Sequence, residues 1–244
     1  MKYTQHLAIS AIGTLVLASS SLAQQSQVDL SGIFSSDMQT WTGGSNYQYG
    51  NSTLNVNGIN FNIGLYNGQA NTTGVATSGT PDNVMSVSTS ILVGNTTTAL
   101  YTLANSAWGT AGNFDGSVEV YGQNGETYTY NYTEGFNIRD HYNGSYTNTL
   151  SDASVISTYF NNKQSSSNSN FGPDRWDMQT IVLPVSFQGD IITKIQFINS
   201  SSIGNPQGEP AWVAATVAAV PEPMDMLSLA VPMGLFLIRK RRTR

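Results

Sequence analysis

The chain has 244 residues, ten Lys and Arg against fifteen Asp and Glu, a formal net charge of −5, and no cysteine. A chain without cysteine has no disulfide framework, no thiolate nucleophile and no thiolate metal site. Between residues 24 and 220 only Arg139, Lys163, Arg175 and Lys194 oppose thirteen acids, a balance near −9 that repels nucleic acid, polyphosphate and anionic lipid.

In chain order, Lys2 precedes an apolar run from Leu7 to Leu17, and the small-residue stretch Ala18 to Ala23 ends in Ser21-Leu22-Ala23. A basic start, an apolar stretch and a small-residue site make a secretory signal peptide over 1–23, cleaved after Ala23. The remaining 24–220, about 197 residues, suffice for one domain with its own core.

That region is rich in Asn, Ser, Thr, Gly and Gln, but its apolar residues alternate in short runs, which disordered tracts lack. Strands are expected at Val28 to Phe34, around Leu54 and Val56, and at Ile59 to Leu65, with Asn57-Gly58 as a hairpin turn or bulge. Further strands are expected at Asn83 to Val93, Thr98 to Asn105, Gly116 to Tyr121 and Glu126 to Tyr132, the last two joined as a hairpin through Gly122-Gln123-Asn124-Gly125. Ser154 to Phe160, Met178 to Val185, Ile191 to Asn199 and Trp212 to Val220 complete the set, with polar connections at 69–82 and 163–170. The pattern predicts an all-β chain: a single β-sandwich with jelly-roll connections, helical only in an N-terminal signal segment and a C-terminal membrane segment.

Catalytic chemistry finds little to work with. His141 is the one histidine after the signal peptide, no Gly-x-Ser-x-Gly elbow is present, and zinc would need carboxylates or water as its main ligands. No metal or cofactor is expected, and His141 reads as a surface residue of a polar turn. Asp115, Glu119, Glu126, Glu134, Asp140, Asp174 and Asp177 are the carboxylates from which a glycosidase pair could be drawn. Glu119, between Val118 and Val120, reads as a solvated strand face. Asp174-Arg175-Trp176-Asp177 reads as a calcium corner or an internal ion pair.

At the C-terminus, Val220-Pro221-Glu222-Pro223 is followed by an apolar stretch from Met226 to Ile238 and then Arg239-Lys240-Arg241-Arg242-Thr243-Arg244. Two prolines around a glutamate break any preceding element, and the basic cluster holds the terminus on the cytoplasmic side. At ~1.5 Å per residue the apolar stretch reaches roughly 20 Å, short of the roughly 30 Å hydrocarbon core. It therefore suits temporary retention better than a permanent anchor. The order of parts over 221–244 resembles the PEP-CTERM sorting signal of exported bacterial proteins. The resemblance implies an exosortase-like transpeptidase as partner, transient membrane attachment, and a final place at the cell surface or in an extracellular matrix with exopolysaccharide.

Thr98 to Trp108, Gly116 to Tyr128, Gly135 to Tyr142, Asp177 to Pro184, Ile192 to Ile198 and Trp212 to Val217 together resemble galactose-binding-like sandwiches. Members of that class bind sugars through loops at one end, which implies Trp41, Tyr47, Tyr142 and Trp176 as glycan contacts. Trp108, after an apolar run, is expected to plug the core. The function expected is that of a non-enzymatic exported surface or matrix protein, with a carbohydrate-binding module or a glycan-processing enzyme as alternatives.

Overall fold

The computed structural model describes residues 24–41, 51–70, 72–78, 82–141, 146–159, 175–200 and 208–219. The two segments expected to act as targeting signals, with Ala23, Pro221 to Pro223 and Arg239 to Arg242, lie outside the described residues, as do Tyr47 and Tyr142.

The described chain is all-β and antiparallel, with two main sheets face to face. One sheet has the order β1 (Gln25–Val28), β13 (Glu209–Ala219), β7 (Thr98–Ala107), β11 (Arg175–Val182), β10 (Ile156–Tyr159). The other runs β6 (Asn83–Leu92), β12 (Ile191–Asn199), β8 (Phe114–Gly122), β9 (Thr127–Thr133). Two short pairs, β2 (Ser36–Asp37) with β5 (Gly74–Val75) and β3 (Ser52–Val56) with β4 (Ile59–Ile63), lie apart from these.

Alternation decides which side each residue takes. In β6, Met85 and Ile91 are buried while Val84, Ser86, Ser88, Ser90 and Leu92 are exposed, as expected where one face meets water. The inward residues of both sheets form one core: Leu100, Ile181, Trp212 and Val217 meet Val118, Val120, Tyr132, Ile192, Ile195 and Phe197. Polar atoms inside this core are bonded to one another. Thr102 and Tyr132 share a hydrogen bond of 2.9 Å, the Trp212 indole donates to Tyr132 Oη at 3.1 Å, and Thr102 donates to Gln179 at 2.9 Å.

The five-stranded sheet is also covered on its other face. Ala99, Tyr101, Leu103, Trp176, Met178, Val213 and Ala218 pack in a second cluster with Val56, Ile59, Phe61 and Ile63 from the β3–β4 hairpin and Met38 from a one-turn helix. Every residue of β7 is therefore buried, and ten of the eleven in β13. In β13 a bulge at Trp212/Ala214 shifts the register with β7, so Val213 and Ala214 both join the outer cluster before Ala215 returns inward.

The expected hairpins are present. Asn57 and Gly58, at φ 49° and 85°, form the turn between β3 and β4 and use the left-handed region that Asn-Gly tolerates. Several boundaries differ. The first strand is Gln25–Val28 rather than Val28 to Phe34, because Asp29 Oδ1 accepts from Ser31 N at 2.9 Å and turns the chain into a short 3₁₀ turn. β11 begins at Arg175 rather than Met178 and ends at Val182, before Pro184. A helix does occur within the region expected to be all-β: Met38–Trp41, one turn, with Asp37 accepting from Thr40 N at 2.9 Å as its cap.

Leu103, fully buried on the outer face of β7, tests this packing. Leu103→Ala should lower unfolding free energy by about 2–5 kcal/mol in a denaturant titration, the range for emptying a buried leucine site.

Candidate functional site

Most of the buried charge gathers at one end of the sandwich. β7 finishes there, β8, β11 and β13 begin there, and residues 138–141 run beside the end of β7 through a parallel bridge between Ser106 and Asp140. Ser106 N donates to Arg139 O and His141 N to Ser106 O, both at 2.9 Å, which aligns Arg139, Asp140 and His141 with the strand ends.

Asp177 is the centre of one network. Arg139 reaches it with two donors, Nε to Oδ2 at 2.8 Å and Nη2 to Oδ1 at 2.9 Å, and Ser157 Oγ donates to Oδ1 at 2.7 Å. Arg175 lies 3.9 Å from Asp177 Oδ2, and its Nη2 donates to Asp140 O and Asn148 Oδ1, each at 3.0 Å. Of the two readings of the Asp174 to Asp177 stretch, Asp177 fits the internal ion pair, with Arg139 as its main partner; Asp174 lies outside the described residues. A two-pronged guanidinium–carboxylate contact of this kind fixes geometry as well as charge.

Next to it stand Asp115, Glu134 and Asp140, exposed by 0 %, 1 % and 0 %. Ser106 Oγ donates to Glu134 Oε2 at 2.6 Å, and Trp108 N donates to Asp140 Oδ2. Both oxygens of Asp115 and Oε1 of Glu134 meet no donor if all the carboxyls are ionised. Burial, reinforced by the facing Glu134, pushes Asp115 far up from the usual carboxylate range, and burial raises Glu134 as well. Two buried carboxyls in contact cannot both stay ionised, so the pair holds one proton between them. The carboxyls fit closely against backbone: a Cβ on Gly109 would strike the Glu134 carboxyl, and one on Gly208 the Asp115 carboxyl.

The expected sugar contacts fare unevenly. Trp176 is 0 % exposed, covered by the outer layer, and offers no face to a ligand. Trp41 is half-buried against the outer cluster, its ring 4.4 Å from His141 and stacked at 6.0 Å on Trp176. His141 is buried rather than a surface residue: desolvation lowers it to about 4, so it is neutral at physiological pH, and its Nδ1 lies 3.1 Å from Ser106 O. Trp108 does not plug the core. It is half-buried, at φ 62°, a left-handed conformation that an aromatic side chain adopts only when the surroundings impose it.

A glycosidase pair needs carboxyls roughly 5–9.5 Å apart across an open cleft. Asp115 and Glu134 are in hydrogen-bond contact and closed to solvent, so no sugar ring fits between them. Among the described residues no group of three or more His, Asp or Glu is placed to hold a metal ion. The arrangement stores a proton and locks strand ends together.

No protein-family model, curated protein or solved structure matches the chain.

The acid pair sets a pH dependence with a definite sign. A carboxyl whose folded pKa is raised favours folding below its unfolded value, near 3.8, and loses that advantage as pH climbs toward the folded value. Asp115→Asn keeps a donor toward Glu134 without a titrating proton. It should melt above the unsubstituted protein at pH 8, with the gain shrinking toward pH 4; equal melting curves at pH 8 would contradict the shared-proton arrangement.

Proposed function

We propose that the chain is a non-enzymatic exported protein of the cell surface or extracellular matrix, processed by an exosortase-like transpeptidase and associated with exopolysaccharide. The observation that carries this reading is the succession after the last strand. β13 ends at Ala219, and Pro221-Glu222-Pro223, the apolar stretch from Met226 to Ile238 and the basic cluster from Arg239 follow at once.

The register of the first strand supports it. β1 begins at Gln25, two residues after the expected cleavage site, and pairs there with Ala218. Removing 1–23 and the residues beyond Val220 would leave every described strand intact. The strand order β1-β13-β7-β11 over β6-β12-β8-β9 supports jelly-roll wiring, because successive long strands cross between the sheets except at the β8–β9 hairpin, with β10 added at an edge. For polysaccharide, the four-stranded sheet offers an outward face of hydroxyl and carboxamide groups, including Ser86, Ser88, Thr129, Asn131 and Gln196.

The test is chemical. Intact mass of the surface-extracted protein should give a start at Gln24 and no peptide reaching Arg244. Alanines at Pro221, Glu222 and Pro223 should leave the precursor in the membrane fraction. Mature protein that retains Arg244 would replace the sorting reading with a simple tail anchor.

A further inference from the structure

The two ends of the sandwich differ in what they expose. At the end opposite the buried acids, β13 finishes with Ala219 beside Thr98, β1 starts with Gln25 beside Ala218, and β6 and β11 run out at Leu92 and Val182. The connections there are 57–58, 93–97, 123–126 and 183–190, and their charged residues are Glu126 and Asp190. Asp190 is buried at this end and Glu126 half-buried. In a region with thirteen acids and four basic residues, a pole without an exposed acid is a segregation of charge.

Exposed aliphatic side chains surround the same pole. Leu92 is 69 % exposed on the outer side of the four-stranded sheet, Val182 47 % on the outer side of the five-stranded sheet, and Val185 74 % at the tip between them. A shallow depression of about 90 Å³ lined by Val93, Thr98, Leu183, Pro184 and Val185 adjoins them. Single exposed aliphatics are ordinary. These three sit where the chain leaves for its apolar segment. The exposed apolar groups at the other end, Val84, Phe114 and Phe136, share that end with Asp82 and Asp152.

The length of the connection restricts what can meet the membrane. Six residues separate Ala219 from Met226, a reach of at most roughly 20–25 Å. β13 alone, with eleven residues, spans roughly 35 Å, so the pole where β13 ends is tied close to the segment Met226 to Ile238, and the acid-bearing end is held away from the bilayer whenever the strands stand upright on it.

We propose that the pole bearing Leu92, Val182 and Val185 rests against the bilayer surface while the chain is held by its C-terminal segment, a placement that depends on the export reading above. Aliphatic side chains enter the interfacial layer, loops without a fully exposed acid meet the headgroups, and the exposed acids stay away from the negative surface potential of anionic lipid. The pole is then the docking surface of the precursor and is released with it on processing.

The absence of cysteine makes single-site labelling direct. The full chain carrying Leu92→Cys, Val185→Cys or Phe136→Cys, each labelled with bimane, is reconstituted with vesicles of phosphatidylethanolamine and phosphatidylglycerol and floated on a density gradient. All three positions are exposed in the fold, so unchanged melting checks that each label is tolerated. The expected result is co-flotation, with blue-shifted emission and quenching by lipid-borne nitroxide at positions 92 and 185 and neither at 136. Co-flotation with all three labels in water, or with position 136 the most quenched, overturns the docking face and leaves the tether standing. Failure to float removes the tether, and the docking face with it.

Discussion

The five-stranded sheet is buried on both faces, and most other features follow from that constraint. A strand covered on both sides cannot alternate apolar with polar. β7 and β13 instead carry runs such as Thr98-Ala-Leu-Tyr-Thr-Leu-Ala and Ala211-Trp-Val-Ala-Ala-Thr-Val, in which alanine lets neighbouring layers approach. The second cover has to come from somewhere. The β3–β4 hairpin and the helix Met38–Trp41 supply it, and Thr216 Oγ1 donating to Asn60 O at 2.7 Å joins hairpin to sheet. The hairpin is thus the third layer of the domain.

Burial on two sides also forces the polar residues of these strands into networks. Thr102 and Gln179 face the inner core and are bonded there, while Asp177 is matched by Arg139 and Ser157. Removing one partner of such a pair leaves a charge closed off from water, the costly case for buried ions. Asp115 and Glu134 solve the same problem without a cation, by keeping one proton between them.

What was legible in the sequence follows the same line. Strands with one wet face, β6, β9 and β12, stand within a residue or so of where alternation puts them, and Asn57-Gly58 marks its hairpin. β11 starts three residues before its expected position because Arg175-Trp176-Asp177 reads as a calcium corner or an ion pair rather than as strand, and the pair with Arg139 is made from within the strand itself. Trp176 and His141 read as surface groups because nothing in their local sequence announces a third layer above them; only the packing of Met38, Phe61 and Trp41 over that face buries the indole and stacks the imidazole. The acid pair was equally hidden, since Asp115 and Glu134 are nineteen positions apart and meet only through the register of β8 with β9 and the turn that follows.

The place of β13 restricts where the chain can be cut without loss of the sandwich. It lies between β1 and β7 and pairs with β7 from Glu209 to Ala219. A cut within it would free β1 from the strand it pairs with and expose the inner and outer clusters at once. A cut beyond Ala219 removes no ladder bond of the described strands. The Pro221-Glu222-Pro223 sequence falls just past that limit, and proline, which has no N–H, cannot donate to a ladder. The last ladder residue of β13 lies two positions before the first proline, so a cut of the kind proposed above would spare the sandwich.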